Sequence, residues 1–137
     1  MLSQLLIFAS AAIVFILGTI HLVYTFNSDK FLPRDTAVAV HMARVAPRIS
    51  AQTTMWRAWV GFNASHSLGA MLFGAVYGYC SIFELQLLLR ASFLLWVGAV
   101  FLSSFVVLAK RYWFSVPFVG LLISNALFGA GMVLAYA

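Results

Sequence analysis

Apolar residues run along this chain in four stretches, about 4 to 26, 56 to 80, 86 to 109 and 113 to 136. A helix needs roughly 17 to 25 mainly apolar residues to cross a bilayer. The pattern therefore predicts an all-α membrane protein, with four transmembrane helices in an antiparallel bundle. Only residues 27 to 55 make a connection of any size. The expected organisation is a single four-helix transmembrane domain over 1–137, with no soluble domain to hold chemistry outside the membrane.

The 27–55 loop carries an amphipathic texture of its own. Val38, Met42, Val45 and Ile49 recur at helical spacing, while Arg34, His41, Arg44 and Arg48 gather on another face. Asp35 can cap the start of a helix, and Pro47 ends it near Ala46. The expectation is a short amphipathic interfacial helix between helices one and two. Its apolar side would face the membrane and its basic side the phosphates of anionic headgroups. The competing reading is a plain connector.

Composition agrees: 64% of residues are apolar and 8% charged, against about 25% charged in soluble domains. The first run lacks a preceding Lys or Arg and a small-residue cleavage site, so it is expected to stay as helix one. Taking loops alternately, Lys30, Arg34, Arg44, Arg48, Arg57, Lys110 and Arg111 fall on one side and Arg90 alone near the other. Short basic loops stay in the cytoplasm, so both termini should be periplasmic. The net charge of +5 then needs no nucleic-acid partner, and membrane lipids are the partners it attracts. Aromatics fall at the expected boundaries, with Tyr24, Trp56, Trp59, Tyr112 and Trp113 on the cytoplasmic side and Tyr77, Tyr79 and Tyr136 on the outer side. Trp96 stands near mid-membrane as packing or lipid-facing bulk. Cys80, the single cysteine, reads as a small apolar packing residue.

The stretch GFNASHSLG, residues 61 to 69, places an amide, an imidazole and two hydroxyls inside the second apolar run. Asn63, Ser67, Ala70, Gly74 and Gly78 follow one helical stripe, with His66 beside it. Small residues and interhelical hydrogen bonds hold membrane helices together, so Asn63, Ser67 and Asn125 can serve as glue. Gly120, Ser124, Asn125 and Gly129 on helix four, with Ser103 and Ser104 on helix three, offer the matching surface. Ser side chains can also bond back to their own helix.

His66 points further, because an ionisable group deep in a span marks the bundle interior, a water cavity or a ligand. His21 on helix one falls near the depth of Asn63, at about 1.5 Å per residue from the cytoplasmic ends of the two helices. His21, Arg57, Asn63, His66, Ser67 and Asn125 are therefore candidate ligand-binding residues, and Arg34, His41, Arg44 and Arg48 candidate headgroup contacts. Catalytic residues cannot be assigned. Two histidines on neighbouring helices also raise a bis-histidine haem b. A protein-bound metal is not expected, since Asp29, Asp35 and Glu84 all lie at or outside the interfaces. Without an intramembrane carboxylate, proton-coupled transport loses its usual relay. A Ser-His-Asp hydrolase fails too, because Ser65 and Ser67 point away from His66 and no buried acid orients its ring.

DKFLPRD after the first span, with TMWRAWVGFNASHSLGAMLFG opening the second, resembles a family of small four-span bacterial inner-membrane proteins. The resemblance implies a multi-pass protein of the bacterial inner (cytoplasmic) membrane. It carries over no activity, cofactor or functional residue. Two classes of function follow from the residues. In one, a polar intramembrane seam binds a lipid or another lipophilic small molecule, with or without histidine acid-base chemistry. In the other, the chain is a structural or accessory subunit, assembling as a homo-oligomer or with another membrane protein.

Overall fold

The computed structural model describes residues 1–90 and 92–137. It is all-helical among those residues: α1 Leu2–Asn27, α2 Thr36–Arg44, α3 Met55–Phe83, α4 Leu85–Arg90, α5 Ser92–Tyr112 and α6 Ser115–Tyr136. Three of these, α1, α5 and α6, are long and apolar enough to cross a membrane. α3 is the longest helix at 29 residues. Arg57, Asn63, Ser65, His66 and Ser67, with interspersed Gly and Tyr, make it more polar than those three.

Helix ends follow local chemistry. The Asp35 carboxylate accepts from the Ala37 amide at 2.8 Å and starts α2, as an N-cap side chain does. Extended backbone at Val45 ends that helix just ahead of Pro47. The Met55 amide donates to the Val45 carbonyl at 2.8 Å, tying the start of α3 to the end of α2. Thr54 Oγ1 then caps α3 by accepting from the Arg57 amide at 3.3 Å.

In the third apolar run, expected over 86–109, helical backbone is described over Leu85–Arg90 and over Ser92–Tyr112, on either side of residue 91. α4 is started by the Glu84 carbonyl, which accepts from the Leu87 amide at 2.9 Å. Lys110 and Arg111 stay in the last turn of α5, where cations favour the helix dipole.

The chain divides into two compact units, residues 1–17 with 70–137, and residues 18–69. The first has the apolar core: Ile7, Ala11, Val14, Phe73, Tyr77, Leu88, Leu95, Leu102, Leu121 and Phe128 are buried. Phe73 stacks on Tyr77 at 4.4 Å and on Phe101 at 4.8 Å, and Phe128 meets Tyr77 edge-on. Helix one is tightly held here. A Cβ on Gly74 would lie 2.6 Å from Phe15 Cβ and 2.7 Å from the Ala11 carbonyl, so only glycine allows α1 and α3 this close. Ser124 of α6 is fully buried against Ser10 of α1. The Ser124 hydroxyl donates to the Ser10 carbonyl at 3.0 Å, so the Ser10 hydroxyl is the donor in the 2.8 Å contact between the two side chains.

The stripe expected along helix two is buried throughout, from Asn63 to Gly78. Its Gly74 packs on α1, and α1 also takes Ser124. Tyr77 departs from an interfacial belt: it is buried and donates to the Leu94 carbonyl at 2.6 Å. Cys80 is a buried free thiol within the same core.

Candidate functional site

In the unit formed by residues 18–69, the buried residues are Gly18, Asn63 and Ser67, and no large apolar side chain is buried among the described residues. Its interior is polar. Helix α3 can carry polar groups there because most of them bond to its own backbone. Ser65 Oγ donates to the Phe62 carbonyl at 3.0 Å, and Ser67 Oγ to the Asn63 carbonyl at 2.9 Å. Asn63 Nδ2 donates to the Trp59 carbonyl at 2.8 Å. A carbonyl can only accept, so the Trp59 contact fixes which way the carboxamide faces. Asn63 Oδ1 is thereby turned to helix one.

His21 Nε2 meets that oxygen at 3.0 Å. Because Oδ1 only accepts, Nε2 carries the hydrogen and donates. In the neutral ring Nδ1 is then the lone-pair nitrogen, an acceptor or base. The order of control runs from the Trp59 carbonyl to the Asn63 amide to the His21 imidazole. Thr25 Oγ1 donates to the His21 carbonyl at 2.8 Å, so this turn of α1 satisfies its own hydroxyl as well.

Aromatic rings surround the pair. Phe31 lies 4.6 Å from the His21 ring at a 53° tilt, and His66 meets His21 edge-on at 5.5 Å. Phe62 stacks on His66 at 6.5 Å, and Trp59 faces Phe31 edge-on at 6.4 Å. Trp59 Nε1 donates to the Phe31 carbonyl at 3.2 Å, which fastens the loop after helix one to α3. Burial is graded across this cluster. Asn63 is 6% exposed, the two imidazoles are half-buried, and Phe62 is 67% exposed.

Of the residues singled out by sequence, His21, Asn63 and His66 come together. Ser67 is fully buried beside them, but its hydroxyl is turned onto its own helix. Arg57 is exposed in the first turn of α3, and its guanidinium makes no hydrogen bond or ion pair with another described residue. Asn125 belongs to the other unit, where its Oδ1 accepts from Ser103 Oγ at 3.4 Å. Arg34, His41, Arg44 and Arg48 are exposed, and His41 and Arg44 line a shallow concavity of about 370 Å³ with Thr36, Ala37 and Val40. Phe31, Trp59 and Phe62 were not legible as site residues, although Trp59 stands at i−4 from Asn63 and Phe62 at i−4 from His66, the spacing that puts each pair on one face of the helix.

The arrangement limits the chemistry. A bis-imidazole haem needs two ring nitrogens aimed at one iron from opposite faces of the macrocycle. Here the rings meet edge-on at 5.5 Å and His21 Nε2 is committed to Asn63, an arrangement that leaves no room for a macrocycle between them. No group of three or more His, Cys, Asp or Glu converges among the described residues. What the cluster offers is an oriented imidazole acceptor beside a second imidazole, with aromatic faces alongside. No protein-family model, curated protein or solved structure matches the chain.

Proposed function

We propose that this chain is a four-span protein of a bacterial inner membrane, whose polar seam binds the head of a lipid or another lipophilic small molecule. In this reading α3 is the fourth span and both termini are periplasmic. α2 lies on the cytoplasmic surface, with Arg34, His41, Arg44 and Arg48 toward anionic headgroups. The observation that carries the binding reading is the Trp59–Asn63–His21 chain of hydrogen bonds. Helix glue requires only that polar groups find partners. This chain does more, since it fixes one imidazole in one tautomer and leaves its Nδ1 for something else.

A ligand that donates a hydroxyl or N–H to His21 Nδ1 would place its apolar part along Phe31, Phe62 and Trp59. The internal packing of Gly74 supports the same reading, because that part of the helix-two stripe is occupied by α1 and is not free to dock a partner. The test is organic extraction of the purified protein followed by mass spectrometry. One lipophile should be recovered in stoichiometric amount from the native chain and lost from His21→Ala. Equal recovery from both would refute the assignment.

A further inference from the structure

One polar residue in the other unit is incompletely satisfied. Asn125 is the eleventh of the 22 residues of α6, at the middle of a helix long and apolar enough to span a bilayer, and Ser103 of α5 meets it there. The contact between Ser103 Oγ and Asn125 Oδ1 is 3.4 Å, well beyond the roughly 2.7–2.8 Å usual for O–H···O. No described residue accepts from Asn125 Nδ2. Ser103 is exposed and Asn125 half-buried. Neither water nor acyl chain can satisfy an amide at that depth, and an unmet polar group in hydrocarbon is costly.

The same surface is open and shallow. A cleft of about 550 Å³ lies along one face of α5, lined by Trp96, Ala99, Val100, Ser103, Ser104 and Val107. Ser103 belongs both to this cleft and to the Asn125 contact, so the polar pair sits on its edge. Trp96 is 64% exposed there, about two helical turns from Ser103. Ala99, Ser103 and Ser104 are small enough to admit a second helix closely.

We propose that the α5–α6 face is a homodimer interface, with Asn125 of each copy bonded to Asn125 or Ser103 of the other. The charge complementarity is self-matching. A carboxamide carries a donor and an acceptor side by side, so a two-fold axis satisfies both copies with one residue. A lipid chain has nothing to offer the amide.

The test is Förster transfer between donor- and acceptor-labelled full-length protein, reconstituted in phosphatidylethanolamine/phosphatidylglycerol vesicles at falling protein-to-lipid ratio. The native chain should give a saturable dimer signal. Asn125→Val should weaken association about tenfold or more, as two symmetry-related membrane hydrogen bonds require, and Asn125→Gln should restore most of it. As a readout that leaves Asn125 in place, Val107→Cys in a Cys80→Ala background should form a disulfide-linked dimer in native membranes. A native chain that stays monomeric at every ratio overturns the proposal. So does undiminished association of Asn125→Val, or a Val107→Cys adduct to a different protein.

Discussion

Asn63 shows how much one side chain can decide. Its amide takes the Trp59 carbonyl on one side and hands His21 an acceptor on the other, at 2.8 and 3.0 Å. Asn63→Ala removes both bonds, and membrane hydrogen bonds of this kind average about 0.6 kcal/mol, with a maximum near 1.7. A loss of about 1–2 kcal/mol is expected, measurable as an earlier unfolding midpoint in a denaturing-detergent titration. His21→Phe retains the ring contacts but not the bond, so its loss should be smaller while ligand retention disappears. Ser65→Ala should be silent by both measures, since that hydroxyl bonds only to its own helix. The stretch GFNASHSLG announced polar groups within an apolar run. It could not say which of them face their own backbone, because that choice rests on side-chain rotamers and not on spacing.

For the helices, glycine contacts separate close packing from open space. Gly74→Leu should destabilise by about 1–3 kcal/mol or more, the usual cost of overpacking, because even its Cβ would lie 2.6 Å from Phe15 Cβ. Gly129→Ala meets nothing within 4 Å and should be neutral or stabilise by up to about 1 kcal/mol through helix propensity. Thermal unfolding in one detergent compares the pair directly. Hydropathy and capping residues marked helix ends where charge and polarity change, as at Asp35. They also paired Ser124 with helix two, while the structure joins it to Ser10 on α1. The signal for that contact was present in Ala9, Ser10, Ala11 and Ala12, a small-residue patch inside the first apolar run.

Across the whole molecule, the distribution of charge and of unmet polar groups carries the reading. Seven of the eight Lys and Arg residues fall on one side in the alternating-loop assignment, and under the positive-inside rule the proposed four-span reading predicts periplasmic termini. A periplasm-active reporter fused after Ala137 should therefore be active, and one inserted at Gln52 inactive; the reverse pattern would invert the orientation. The apolar core, with Phe73, Tyr77 and Phe128, belongs to one unit, while the histidines belong to the other, whose interior is polar. That contrast was invisible to composition, which averages over both.

Native mass spectrometry of the protein extracted gently from its own membrane tests the binding claim most directly, because it reads subunit number and retained mass together. The account predicts a reproducible small-molecule adduct on the native chain that is absent from His21→Ala at unchanged subunit number. A native chain that flies without any adduct, or an adduct that survives His21→Ala, would contradict it and leave His21, Asn63 and His66 as packing between helices.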